Sequence, residues 1–497
     1  MKKFIYSIFV ITALVGGLCS CNSSFLDTKP TNAVPASEAM TNVADAGVAC
    51  NGLYTPLKYY TMYSTYFAVL GDMRSDVLYP AKNNQGFKTV YNLQFDKVQN
   101  TYFGSIWMGY YEVINRCNTY LENIGPLYDK SSSKDQAIID DYIGQCYAVR
   151  GLCYFDLARF YGYPYAKDNG ASLGAVILTN TISASEAKEM SRSTVAQTYE
   201  RAIADFGEAV GRLSKDKNSG HFNYWAAKAM LAKIQLYMGD NTGALANCKE
   251  VINSGVYSLV SRDGYIDYWG HENQPETVLE FLISLKGDID DDGGFYTIYH
   301  DLHFSKNNAD NDGHCIVPTK KYRESLGEND IRRTMLKEYI LTNAQGEDYV
   351  QEIWLSKFPG NLDKGFTFRR NNAKVLRMSD VYLMAAEAAV KGAGTKEEAA
   401  NYLYEVASRR DSDAQKLANP TLDDILLERF KEFPAEGQRF FDMLRNGKTI
   451  THDMSYDPED GVALTYPEVN WDKHIVVLPI AESEIAIHPN LQQNPGY

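Results

Sequence analysis

Residues 138–254 constrain this chain more than any other stretch, because they carry the apolar spacing of four consecutive helices. In the first, Ile139, Ile143, Cys146, Val149, Cys153, Leu157 and Phe160 recur on a 3.6-residue period and put one apolar stripe on a helix. Tyr161-Gly162-Tyr163-Pro164 ends it, since glycine supplies a stop and proline cannot continue the hydrogen-bond ladder. A second helix opens at Thr194, whose hydroxyl can cap while Gln197 reaches back, and runs through Tyr199, Ile203, Phe206, Val210 and Leu213. Asn223 can cap the third, over residues 225–238, where Ala226, Ala227, Ala229 and Ala232 admit a close neighbour. The turn Gly239-Asp240-Asn241-Thr242-Gly243 leads into the fourth, over 244–253, with Leu245, Cys248, Val251 and Ile252 inward.

Two helices of this length joined by a short glycine turn resemble a tetratricopeptide-type hairpin, although the strict consensus of that repeat is not met. The chain therefore reads as mostly α, and a helical-hairpin array is a scaffold on which function is hung. Helical order returns over 375–390, and Thr395 with Glu398 forms a capping box for a helix to residue 410. A further helix covers 422–433. Its Glu428, Arg429, Lys431 and Glu432, followed by Glu436, Arg439, Asp442 and Arg445, read as i, i+3 ion pairs covering aromatic stems rather than as acid–base chemistry.

The N-terminus reads as a processing signal. Met1-Lys2-Lys3 precedes an apolar run over 4–18, too short to span a bilayer. The run ends in Leu18-Cys19-Ser20-Cys21, which resembles a bacterial lipobox, so Cys21 is the expected lipidation site. This predicts a signal peptide over 1–20, a polar lipidated tether over 21–35 and a single body over 36–497. Within the body, 36–256 is the N-terminal part with the hairpins, 257–376 a loop-rich, partly β insertion, and 377–497 a C-terminal helical part and tail. Six cysteines follow Cys21, none in a C-x-x-C pair, and Cys146, Cys153 and Cys248 fall on inward helix faces. Buried thiols are expected there, rather than zinc or disulfides.

The formal charge is −14 with no basic block, which disfavours nucleic acid and anionic lipid headgroups as partners. Contact with a membrane is expected through the lipid alone. The 36 tyrosines mostly serve core packing, and a minority is expected to line a binding surface. An opening helix over 36–60 leads through an aromatic segment into 71–87, which has no sustained period and reads as a surface loop near a turn. It sets Asp72, Tyr79, Asn83 and Asn84 among aromatic residues. In 257–376, where helical periodicity lapses, Trp269, Tyr296 and Trp354 are the expected stacking faces, with Arg369 as a further polar partner. Sugars need both kinds of group: ring faces for their C–H patches, and planar amides, carboxylates or guanidinium groups for vicinal hydroxyls. A loop region this long is usually functional or disordered, and the aromatic content argues against disorder. No cofactor is expected. Asp288, Asp290 and Asp292 with Gly293 begin like a calcium loop, but Tyr299 stands where a glutamate is required, so a solvated acidic turn is expected. His300, His303 and His314 lack the helix that a zinc triad would need.

Several segments in order resemble the SusD/RagB family of Bacteroidetes surface lipoproteins. They are the lipobox with Phe25-Leu26-Asp27-x-x-Pro30, Ala148-Val149-Arg150-Gly151-x-x-Tyr154-Phe155-Asp156-Leu157, Ala226-x-x-Ala229-x-Leu231-Ala232, and Val251-Ile252-Asn253-Ser254-Gly255-x-Tyr257-x-Leu259. Residues 377–387, Glu428-Arg429, and Leu478-Pro479-Ile480 with Asn490-Leu491-x-Gln493-Asn494-Pro495-Gly496-Tyr497 continue the match. The resemblance implies a mostly helical body with four tetratricopeptide-type hairpins. It also implies a glycan-binding, or in some relatives peptide-binding, lipoprotein on the outer membrane that works as a lid on a SusC-like TonB-dependent transporter. Ligand residues vary in that family, so the site residues above rest on chemistry and region alone. A surface glycoside hydrolase would need two carboxylates about 5–10 Å apart, and no stretch here gives such a pair a catalytic context. A pure scaffold for protein partners leaves the aromatic insertion unexplained.

Overall fold

The structure, a computed structural model, describes residues 39–80, 85–98, 103–283, 316–342, 345–366, 371–452 and 465–497. The main helices are α1 (Val43–Tyr54), α2 (Phe103–Asn123), α3 (Ser133–Tyr161), α4 (Val195–Val210), α5 (Tyr224–Met238), α6 (Asn241–Asn253), α7 (Met378–Ala388), α8 (Lys396–Ala407), α9 (Leu422–Glu432), α10 (Arg439–Arg445) and α11 (Glu482–Ile487). Short antiparallel pairs are made by β1 (Leu78–Pro80) with β3 (Ile316–Pro318), β2 (Thr277–Phe281) with β6 (Ala373–Arg377), and β4 (Leu336–Thr342) with β5 (Asp348–Leu355). Among the described residues, no helix is long and apolar enough to cross a membrane.

Local chemistry explains the helix ends. Thr194 and Gln197 form the expected reciprocal cap of α4, Asn223 caps α5, and Thr395 with Glu398 caps α8. Gly239 closes α5 with φ +82°, a left-handed conformation that glycine adopts without a Cβ penalty. Helices then pack on their neighbours in chain order: α2 on α3, α3 on α4, α4 on α5, α5 on α6, α6 on α7, and α7 on α8. The axis of this array is α3, buried on all sides from Gly144 to Tyr161 apart from Tyr147. Its buried charges are paired, as burial demands. Arg150 lies 2.9 and 2.7 Å from the two oxygens of Asp205, and Asp156 accepts from Tyr63, Tyr110 and Arg159. Cys50, Cys117, Cys146, Cys153 and Cys248 are buried free thiols, as the inward spacing of three of them predicts.

Three expectations change. The opening helix covers only Val43–Tyr54, because Pro56 starts a 3-10 turn. Residues 375–377 belong to strand β6 and not to α7. The charges around α9 are not surface i, i+3 pairs but a buried network joining distant segments. Arg377 reaches Glu276, Glu432 and Glu436; Arg410 reaches Glu276 and Glu432; Arg332 reaches Asp330, Glu428 and Glu432. A second set links Lys233 and Arg429 to Asp380, Arg429 to Asp442, and Arg445 to Asp442 and Glu387. The cluster is structural, but it works by clamping strand β6, α7, α9 and α10 together.

Candidate ligand-binding face

The stretch read as a surface loop is a buried pedestal. Residues 69–78 are all buried, and two aspartates fix them. Asp72 is 0 % exposed and accepts from the backbone N–H groups of Gly437 (2.8 Å) and Arg439 (3.0 Å). Burial pushes its carboxyl up to about 7 despite these two donors. Asp76 takes a two-pronged contact from Arg439 (2.7 and 3.0 Å) and a third from Lys321 (2.7 Å). Burial alone would raise Asp76, but the adjacent guanidinium and ammonium outweigh it and hold the carboxyl at about 2. The same residue's carbonyl accepts from Thr319 Oγ1 at 2.8 Å, and Val77 O accepts from Thr319 N at 3.0 Å.

The pedestal runs directly into β1, which shares its partner β3 with β5. Directly after it, Tyr79 pairs with Val317 and Pro80 with Ile316. Strand β3 also packs against β5, in which Trp354 pairs with Lys337 of β4. Successive side chains on a strand point to opposite faces. Leu355 is accordingly buried, while Trp354 before it is only half-buried, as is Tyr79 between buried Leu78 and Pro80. Of the residues singled out in the sequence, Tyr79 and Trp354 are thus carried on strands that share β3.

Two others are corrected. Asp72 is bonded inside the pedestal and presents no oxygen to a ligand. Trp269 is 3 % exposed and sits in the core, edge-on to Tyr265, Tyr268 and Phe358. Lys357 Nζ lies 4.4 Å and the Arg377 guanidinium 4.9 Å from its ring centroid, so its π-face is already taken by cations. Asn83, Asn84, Tyr296, Arg369, the lipidation site Cys21, the acidic turn with Asp288, Asp290 and Asp292, and the histidines 300, 303 and 314 lie outside the described residues. Among the described residues, no group of His, Cys, Asp and Glu is arranged to hold a metal.

A second concave feature was not anticipated. A groove of about 340 Å³ is lined by Trp107, Met108 and Tyr111 of α2, by Val176, Leu178, Ile182 and Met190, and by Glu484, His488 and Leu491 near the C-terminus. Tyrosine hydroxyls hold its middle wall: Tyr111 Oη accepts from Val176 N (2.7 Å) and donates to Val176 O (3.0 Å). Tyr154 does the same with Leu178 N (2.8 Å) and Leu178 O (2.6 Å). Its signal in the sequence was the excess width of the apolar arc on α2. Trp107, Tyr110 and Tyr111 already fill a core stripe, and Met108 is left 46 % exposed beside them.

Comparison with known proteins accords with this architecture. The model of the SusD family matches residues 304–497, and a model described as "Starch-binding associating with outer membrane" matches residues 24–236. A SusD superfamily protein of Bacteroides vulgatus is 33% identical, with a TM-score of 0.79 over 92% of this chain and 99% of its own. One from Bacteroides thetaiotaomicron is 30% identical, with a TM-score of 0.83 over 92% of this chain and 100% of its own. SusD-like protein P25 of Formosa agariphila is 23% identical over 99% of both chains. At these identities over nearly whole chains, with the same helical array, this protein belongs to the SusD family.

Proposed function

We propose that this protein is a non-catalytic, cell-surface lipoprotein that captures oligo- or polysaccharide and delivers it to a SusC-like TonB-dependent transporter of the outer membrane. Its anchor is the lipid on Cys21. The observation that carries the reading is the β1–β3–β5 corner. Pedestal hydrogen bonds hold the strand with Tyr79 against β3, and β5 with Trp354 packs on the same strand. Rings held on strands are pre-organised, and rings of this kind stack on the C–H faces of sugars at little entropic cost. The starch-binding, outer-membrane description of the model that matches residues 24–236 supports the same substrate class and location.

Calorimetric titration of the mature protein against a panel of soluble polysaccharides tests this. One or more should bind without release of shorter products, and Y79A and W354A should each weaken binding about two- to tenfold. Binding of protein digests with no glycan bound would replace this reading with peptide capture. Shortening of the glycan by the purified protein would make it an enzyme.

A further inference from the structure

The groove beside α2 shares no residue with the β1–β3–β5 corner, and it is too apolar for a sugar. We propose that it is a second ligand site, which takes one small organic ammonium ion: an apolar body against Trp107, Tyr111 and Met190, and the charged nitrogen at Glu484. The inference does not depend on what the corner binds.

Size, floor and charge converge on that occupant. A volume of about 340 Å³ stands at the lower end of small-molecule sites, which run from about 300 to 1,000 Å³, so a single small molecule fills it. The floor is held in place before anything binds. Trp107 and Tyr111 lie 4.9 Å apart, and Tyr161 braces Trp107 edge to face at 4.8 Å. The Tyr111 hydroxyl is committed in both directions to Val176, so this residue offers a ligand its ring and not its oxygen. The charge decides the sign of the ligand. The lining contains two carboxylates, Glu112 and Glu484, and no lysine or arginine. Glu112 is exposed and already paired with Arg116 at 2.6 Å. Glu484 is half-buried, and among the described residues its carboxylate makes no hydrogen bond or ion pair. Arg192, which is buried, does not serve it: its N–H groups go to the carbonyls of Gly174, Gln492, Tyr161 and Leu173 and to Asn494. Lys188, beside the lining residue Ala187, is flanked in sequence by Glu186 and Glu189. His488 lies one turn on from Glu484, with its Nδ1 3.3 Å from Ala187 O. A carbonyl only accepts, so Nδ1 carries the proton and Nε2 of the neutral ring is a further acceptor. A carboxylate or phosphate ligand would meet like charge at this rim. An ammonium meets an unpaired, half-buried carboxylate, which is screened less than one in open solvent.

The test uses the mature chain from residue 21 with C21S in place of the lipidated cysteine. Three probes of nearly one size and differing charge are titrated: 2-phenylethylammonium, neutral 2-phenylethanol and anionic 3-phenylpropanoate. Methyl NMR of labelled methionines reads the groove through Met108 and Met190, with buried Met230 and Met384 as controls. The ammonium should shift Met108 and Met190 saturably and leave Met230 and Met384 in place. The alcohol should bind about three- to tenfold more weakly, and the carboxylate more weakly still. E484Q should weaken the ammonium by the same factor of about three to ten and leave the alcohol unchanged. E482Q removes the same charge from the same helix, but Glu482 faces a separate hollow with Lys97 and Val98, so it should leave all three probes as they were. Unmoved Met230 and Met384 signals in both variants show that the fold is kept. No saturable shift at Met108 and Met190 with the ammonium would overturn the proposal. So would an alcohol or carboxylate that binds as tightly, or an E482Q loss equal to that of E484Q, which would reduce the effect to the general field of an acidic protein.

Discussion

Gly71 and Gly437, far apart in the chain, approach so closely that a Cβ on Gly71 would lie 2.1 Å from the Gly437 carbonyl oxygen. Gly437 itself sits at φ +72°, a conformation that side chains other than glycine adopt at a cost. This contact is what lets Asp72, the next residue, take the Gly437 N–H at 2.8 Å. G71A has nowhere to put its methyl except into rigid backbone, so it should destabilise the protein by about 1–3 kcal/mol or more. Gly52, inside α1, has nothing within 4 Å of its would-be Cβ. There the helix-propensity gain should prevail, and G52A should stabilise by about 0.5–1 kcal/mol. Chemical denaturation of the two variants side by side checks both signs.

The buried charges make a sharper contrast. Glu432 serves Arg332, Arg377 and Arg410 at once, all of them within 1 % of full burial. Removing it leaves three guanidinium groups short of a partner in a dry interior, so E432A should cost about 3–5 kcal/mol, or prevent folding. Glu405 pairs with Arg409 on the surface of α8, with both side chains more than a third exposed. E405A should change stability by no more than about 0.5 kcal/mol. Equal losses in the two variants would show that the network contributes no more than a surface pair.

Helix positions were legible in the sequence because their causes are local. The Thr194–Gln197 and Thr395–Glu398 boxes, the Asn223 cap and the Gly239 stop each lie within a turn of the helix they define. The site was less legible because burial is set from far away. Asp72 looked like an exposed loop carboxylate, yet its partners are Gly437 and Arg439. Trp269 sits beside an exposed-looking His271, but Lys357, Phe358 and Arg377 close over it from about ninety residues later and beyond. Tyr79 and Trp354 are half-buried because strand alternation decides which of two neighbours faces inward, although no strand period over 71–87 announced the strand that carries Tyr79. The groove on α2 needed the C-terminal residues Glu484, His488 and Leu491 to close it, which no local pattern announces.

Acid should weaken the fold through Asp76. The carboxyl of Asp76 is held at about 2 in the folded chain against an ordinary value of 3.8, since Arg439 and Lys321 more than offset its burial. A group lowered in this way contributes stability above pH 3.8 and loses it as pH falls toward 2. At 1.36 kcal/mol per unit that contribution is about 2 kcal/mol. Asp380 and Glu387, lowered despite burial by Lys233 with Arg429 and by Arg445 with Lys391, act in the same direction and begin to lose their contributions below pH 3.8 and 4.5 respectively. Denaturant midpoints taken between pH 5 and pH 2 should therefore fall steeply. In D76N the midpoint at neutral pH should be lower and the slope through pH 4–2 shallower. An unchanged slope would show that Asp76 is not held as described.

Trp269 and Trp354 should separate stability from binding. The first is enclosed by Tyr265, Tyr268 and Phe358 and bracketed by Lys357 and Arg377. Truncating it opens a cavity and strips two buried cations of their ring, so W269A should cost about 3–5 kcal/mol. Any molecules that remain folded should bind glycan with unchanged affinity, because the ring touches no surface. Trp354 lies half-buried on β5, where its neighbour Leu355 supplies the packing. W354A should lower the unfolding free energy by no more than about 1–2 kcal/mol while weakening glycan binding about two- to tenfold. Titration and denaturation of both variants give four numbers. A W269A protein that folds well and loses binding, with W354A binding as before, would move the ligand face away from the β1–β3–β5 corner and toward the side of the molecule where Trp269 lies.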